Sequence, residues 1–379
     1  MRRLVRARGS WGVAAVLIGG LCSGDPRPLA GPPADGGMAP PTSLSSAPQG
    51  TTLKAPPTMP LNELRRRLQD SQAQVTGLEF TCRRCDATLL AELLAGEEVR
   101  GLRSLRLEGN HLGVAGVRAV VASTHLESLE ELVLAYNDLG DEGAEVLGAA
   151  MHLPRLRVLD LGGNAIGAAG FRTLAGSALL ERIEVLDVSD NALDDRAVYE
   201  ALYASHAPML VRLRLHHTGC QGPCLAALLG SPLCRQLVEL GLTGVDARGA
   251  AMLAASGNVS RLEVLHLLGE SDLGGQGYLG PRGAQALAAS PHLGRLRELR
   301  LPLNAIGDVG AEALAHAAQV HPRVLGLRAN DIHDRGARAF AVPRVARRLE
   351  RLDLSDNRIT PGGATELRHR LGERVVLSR

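Results

Sequence analysis

The stretch LRLHHTGCQGPC, residues 213–224, places two histidines and two cysteines within nine positions. Two imidazoles and two thiolates are a common zinc ligand set, because nitrogen and sulfur donors suit a tetrahedral site. His216, His217 and Cys220 together would serve a metal-dependent hydrolase. Cys82 and Cys85 add a C-x-x-C pair, a spacing used in metal and redox centres, but no second pair accompanies it. The commoner enzyme signatures are missing. Lys54 is the only lysine, so no Gly-Lys phosphate loop exists, and neither HExxH nor GxSxG occurs. No catalytic residue and no cofactor is therefore assigned.

Whether the four side chains converge depends on the elements that carry them. The apolar fraction of 45% and charged fraction of 22% are those of a globular protein. With three Phe, four Tyr and one Trp, the core has to be aliphatic, and too few rings remain to stack nucleic-acid bases. The total charge of +2 is uneven. Residues 1–60 hold six basic side chains against Asp25 and Asp35, which leaves 36 basic and 38 acidic residues in 61–379. A near-neutral domain does not suggest a nucleic-acid partner.

The region from 75 onward repeats itself. LRSLRLEGNHLGVAGVRAV from 102, LEELVLAYNDLGDEGAEVL from 129 and LRVLDLGGNAIGAAGFRTL from 156 share L-x-x-L-x-L-x-x-N-x-(L/I)-G. The asparagine slot falls at Asn110, Asn137, Asn164, Asn191, Thr218, Val245, Glu270, Asn304, Asn330 and Asn357. Most steps are 27 residues, with a short step of 25 and a long one of 34 near the centre. A degenerate eleventh unit, with Arg83 in the slot, precedes them. In L-x-L the leucines point to one face of a strand. Ala and Leu at helical spacing then predict a short helix. One unit cannot hide its own leucines, so the units must stack and share a core. Strands stack closer than helices, so the stack curves with the strands inside. Asparagine suits its slot because its amide both donates and accepts. The glycine six positions later (Gly116, Gly143, Gly170, Gly310, Gly336, Gly363) is expected to permit a tight start to the helix.

These units resemble leucine-rich repeats of the ribonuclease-inhibitor type over roughly 75–377. The resemblance implies an α/β horseshoe solenoid of about 11 repeats, with a concave parallel sheet and convex helices, that binds other proteins through its concave face and rims. It does not carry over a basic nuclease as partner, because the chain is rich in neither Cys nor acidic residues. The same fold serves GTPase-activating proteins, which makes a cytoplasmic enzyme regulator the alternative function.

Laid on this register, Cys220 and Cys85 both take the core position two after the slot, and Cys224 replaces the glycine. His216 falls on the strand face and His217 at the turn, so the four side chains disperse. A structural role is expected for the cysteines, as thiols or as a Cys82–Cys85 or Cys220–Cys224 disulfide, and no metal site.

The residues between the strand leucines are expected to be exposed on the concave face: Arg106, Val133, Asp160, Asp187, Arg214, Gly241, His266, Arg300, Gly326 and Asp353. With Asp190, Arg212, His216 and Arg328 beside them, they predict a groove with an acidic third and fourth unit and a more basic stretch beyond. Such a groove would register a charged protein or peptide. The long step places extra residues in GESDLGGQGYLGPRG, expected to project from one rim as a loop carrying Tyr278.

The amino terminus reads differently. Residues 1–22 combine a basic start with the apolar run WGVAAVLIGGL, which is too short to span a bilayer and fits a secretory or lipoprotein-type signal. Cys22 at its end is a lipidation candidate and so a possible membrane tether, although Leu21 precedes it where a small residue is expected. Residues 23–60, rich in Pro, Gly and Ser, are expected to be a disordered linker, and 61–74 a capping helix with Leu61, Leu64 and Leu68 on one stripe. The reading that results is a monomeric, exported or envelope-held scaffold for a protein partner, with a cytoplasmic location as the alternative.

Overall fold

Each 27-residue unit crosses the molecule twice, once as a short strand and once as a helix. The strand Ser104–Arg106 is followed by the helix Gly113–Ala122, then Glu131–Val133 by Gly140–Gly148, and so on along the chain. This computed structural model describes residues 51–55, 59–70, 75–80, 85–194, 198, 207–270 and 277–378. Its 13 strands form a single sheet in chain order. Neighbouring strands pair in parallel and in register, Leu105 against Leu132, Leu132 against Leu159, and Leu159 against Leu186. Parallel pairing requires a crossover between strands, and the helix supplies it.

The core is the stack of leucine ladders predicted from the period-two pattern. Leu105, Leu107, Leu132, Leu134, Leu159 and Leu161 are all 0% exposed. Each contributes about 1.5–3 kcal/mol through burial. Phe171 and Phe340 are the largest side chains buried among them.

Both ends of the sheet are finished by strands outside the regular repeat. The linker expected over 23–60 gives way at its end to the strand Thr51–Ala55, which pairs with Val75–Phe80 and sets Leu53 opposite Leu78. The first repeat strand would otherwise present a row of unpaired backbone groups. TTLKA, lying between Pro48 and Pro56, contains no proline and can supply the missing donors. The rest of that segment, apart from Met59 and Pro60, and the whole of 1–22 with Cys22, lie outside the described residues. The helix Leu61–Asp70 follows, with Leu64 and Leu68 buried against the first unit. At the other end Val375–Val376 pairs with Arg351–Asp353.

The asparagines hold one unit to the next. The side-chain Oδ1 of Asn137 accepts the backbone N–H of Asn110 (3.1 Å) and of Leu112 (3.3 Å) in the preceding unit. Its Nδ2 donates to the carbonyls of Leu107 (2.8 Å), Leu134 (3.0 Å) and Ala135 (3.1 Å). Asn164, Asn191, Asn330 and Asn357 repeat the pattern. This network lets the turn adopt a left-handed backbone one residue before the slot, even where the residue is Tyr136 (φ 56°), Asp190 (φ 56°) or Leu303 (φ 59°). A non-glycine residue there costs about 1–2 kcal/mol, and the fixed turn offsets it.

At the centre the ladder stops. Thr218 bonds only to the carbonyl of Leu215 in its own unit (2.8 Å), and Val245 has no polar side chain. The strands Glu239–Thr243 and Val264–Leu268 run to five residues there, against three in most units. The backbone bond that regular units make from the residue before the slot persists there, Gly244 N–H to Leu268 O at 2.9 Å, as Tyr136 N–H reaches Gly162 O at 2.8 Å in a regular unit.

The glycines six after the slot allow the tight helix start through their size: a Cβ on Gly116, Gly143 or Gly310 would lie 2.4, 2.7 or 2.8 Å from the Cβ of Leu112, Leu139 or Ile306 at the start of the same helix. None of them has a left-handed backbone. They provide space. A Cβ on Gly170 would lie 2.6 Å from the Asp141 Cα, and one on Gly336 2.8 Å from the Asp308 Cα, each in the preceding helix. That closeness lets Asp308 Oδ1 accept the N–H groups of His333 (2.8 Å) and Gly336 (3.0 Å), capping the next helix from outside it.

Candidate protein-binding surface

The sheet face is less open than the alternation rule predicts. Arg106 is exposed, but Val133, Gly241 and His266 are buried, and Asp160, Asp187, Arg214, Arg300, Gly326 and Asp353 are half-buried. Strands packed this closely let a long side chain on one cover its neighbour. His266, 3% exposed, is covered in this way because its Nε2 lies 2.9 Å from Glu298 Oε1.

Nor is the basic stretch free. Arg214 Nε donates to Glu239 Oε1 at 2.7 Å, and its Nη1 lies 3.6 Å from Asp187. Arg212 lies 3.8 Å from the same Glu239. Arg300 reaches Glu298 (2.6 Å), Arg106 reaches Glu131 (2.6 Å) and Arg328 reaches Asp356 (2.5 Å). Asp353 is occupied locally by the N–H (2.9 Å) and hydroxyl (2.6 Å) of Ser355. Burial alone would lower the Arg214 pKa, but Glu239 and Asp187 outweigh it and keep the guanidinium charged. Burial likewise opposes the Glu298 carboxylate, and His266 and Arg300 outweigh it. The expected bipolar groove is thus a set of compensated ion pairs. Glu131, Glu239 and Glu298 escaped the sequence reading, although each sits two residues before a concave position, on the same strand face.

One acidic excess remains. Asp160 and Asp187 are register partners on adjacent strands, and Arg214 reaches only the second at ion-pair distance. Burial, and then the Asp187 charge, push the Asp160 pKa up to about 7.

His216 and His217 go separate ways. The His216 ring lies over Gly241, where a Cβ would fall 2.6 Å from its Nε2. Its Nδ1 is 3.2 Å from both the Leu242 carbonyl and the Thr243 hydroxyl. The carbonyl can only accept, so Nδ1 carries the proton. Nε2 is buried without a hydrogen-bond partner, and burial lowers the pKa to about 4, so the ring is neutral. His217 instead meets Asp190 on the turn rim at 2.6 Å. Cys220 and Cys224, both buried, are joined to each other in a disulfide. Among the described residues no three His, Cys, Asp or Glu side chains are grouped to hold a metal ion. Cys85 is a buried free thiol, raised to about 12 by burial, and Cys82 lies outside the described residues.

The rim holds a residue the sequence reading passed over. Tyr136 is 51% exposed, and its hydroxyl donates to Asp190 Oδ2 at 3.1 Å across the intervening unit. The ring crosses that unit at Gly163, where a Cβ would sit 2.3 Å from it. The signal was present, since Gly163 stands 27 residues after Tyr136 and Asp190 27 after Gly163. The hydrogen bond from His217 lowers the Asp190 pKa, so the anchor is a carboxylate.

Tyr278, expected on a projecting loop, is half-buried instead. Leu279 N–H bonds to Asn304 Oδ1 (3.2 Å) as Leu112 N–H does to Asn137, so Tyr278 has already rejoined the repeat register. Residues 271–276 lie outside the described residues.

The family pattern described as Leucine Rich repeat matches residues 125–148, 152–175, 296–315 and 347–367. Among solved structures, the chain is similar to one from the Rad7 and Elc1 complex in yeast, at 18% identity over 82% of this chain and 81% of that one, with a TM-score of 0.47. It is also similar to an internalin (inlF) from Listeria monocytogenes str. 4b F2365, at 17% identity over 84% of this chain and 93% of that one, with a TM-score of 0.40. Among curated proteins, none matches.

Proposed function

This chain is a leucine-rich repeat protein, and from that premise we propose that it is a non-enzymatic scaffold that binds a protein or peptide on its sheet face and the adjoining turn rim. The observation that carries the reading is Tyr136, a half-exposed ring held flat by Asp190. A tyrosine already fixed in place loses little freedom on binding and offers both apolar area and a hydroxyl, the usual properties of an interface anchor. The compensated pairs around Arg106, Arg214 and Arg300 present both signs in fixed positions, which favours selection among partners over strength of binding.

The test is a photo-crosslinking phenylalanine analogue placed at position 136 or 106 and, as control, at Arg118 on a convex helix. Adducts are expected from 136 and 106. Adducts from 118 alone would refute the assignment of the surface.

We further infer export, with residues 1–22 holding a secretory signal or, as the alternative, a lipoprotein-type signal cleaved before Cys22 so that Cys22 carries the lipid. The support is the basic-then-apolar start, together with the Cys220–Cys224 disulfide, a bond that persists in oxidising compartments. Mass spectrometry of the native chain is expected to find Cys22 or a later residue at the amino terminus, and an intact Met1 would refute the inference.

A further inference from the structure

A solenoid converts sequence order into position along its axis, so charge that is segregated in the chain is segregated in space. Residues 85–194 hold 18 Asp and Glu against 8 Arg, whereas residues 281–378 hold 16 Arg against 10 Asp and Glu. The near-zero total charge therefore conceals acidic repeats over 85–194, behind a terminal helix that carries Arg65, Arg66 and Arg67, and a basic carboxy-terminal end.

Local pairing does not remove this difference. Arg323, Arg335 and Arg338 meet Glu350, Glu312 and Glu366. Arg344, Arg347 and Arg370 are exposed, and among the described residues no carboxylate lies within ion-pair distance of them. Arg374 ties this region together by donating to the carbonyls of Ala346 (2.7 Å) and Leu349 (2.9 Å) from beyond the last helix. The environment is one of like charge: burial and then the charge of Arg344 lower the pKa of Arg348. In the acidic repeats Glu92, Glu127 and Glu145 are exposed, and among the described residues no Arg or Lys is within ion-pair distance of their carboxylates, although Arg65 donates to the Glu92 backbone carbonyl.

We propose that the basic carboxy-terminal end docks on the acidic amino-terminal repeats of a second copy of this chain. The complementary surface need not be sought in another protein, because every copy carries both. Neither surface can satisfy the other within one chain, since the intervening units hold them apart. The contact joins unlike surfaces, so each added copy leaves one acidic and one basic surface free and the assembly grows head to tail. The single-chain state expected from the sequence is then the high-salt form.

Sedimentation velocity on the full chain tests this. In 10 mM salt, where charges act over about 30 Å, the weight-average mass is expected to rise at least roughly twofold with concentration. In 1 M salt, where that range falls to about 3 Å, the single-chain value is expected. The full chain carrying R344E, R347E and R370E is expected to stay single in 10 mM salt, and to associate again when mixed with chain carrying E92R, E127R and E145R. Recovery on mixing also shows that both variants are folded. A wild-type chain that remains single at every concentration in 10 mM salt overturns the proposal. So does association that survives in the arginine variant, which would place the contact elsewhere, for example on the arginines of residues 1–60.

Discussion

Asn137→Ala is expected to lower the stability of the unit it serves by about 2–6 kcal/mol. The substitution leaves the buried N–H groups of Asn110 and Leu112 without an acceptor, and a buried orphan costs about 1–3 kcal/mol. Three carbonyls lose a donor as well, so the lower end of the range is a floor. Asn357→Ala makes the same deletion in the last regular unit, where the side chain is half-buried and water can replace it, and is expected to cost less. Urea denaturation of the two variants beside the wild type measures the difference. Equal midpoints for the two would mean that the amide does not carry the stacking.

Asp160→Asn is expected to stabilise the protein above neutral pH and to do nothing in acid. The folded carboxyl titrates at about 7 against an ordinary 3.8, so the folded state prefers the protonated form. Stability from this group is fully present below about pH 4 and is lost as the pH rises through 7. A shift of this size corresponds to as much as about 4 kcal/mol at pH 8, an upper figure because Asp187 shares the titration. Asparagine keeps an oxygen for the Gly162 N–H that Asp160 accepts at 3.0 Å, so the turn survives. Thermal unfolding at pH 4 and pH 8 separates the outcomes. A variant less stable than the wild type at pH 8 would show that the carboxylate is paired there.

The fold was legible because its determinants are local and repeated. Leu105 and Leu107 specify a strand face, and Asn110 specifies the turn that binds the next strand. Reading those letters every 27 residues is enough to place each leucine in the core. The surface was legible only in part. Taking Arg214 alone suggested a free cation, whereas Glu239 two residues ahead of the next concave position neutralises it. Ion pairing depends on side chains reaching between units, and a single row read along the chain does not report it. Tyr136 was missed for the same reason, since its meaning lies in Gly163 and Asp190, one and two units away. The strand Thr51–Ala55 was missed because proline-rich flanks masked five residues whose partner is an otherwise bare sheet edge.

Successive units are clasped together by side-chain amides reaching across from one turn to the next. Amide hydrogen exchange, comparing the wild type with Asn137→Ala, tests this most directly. Slow exchange is expected at the Asn110 and Leu112 amides in the wild type and fast exchange at both in the variant, with the Asn330 amide unchanged in its distant unit. Equal exchange at Asn110 and Leu112 in the two proteins would contradict it.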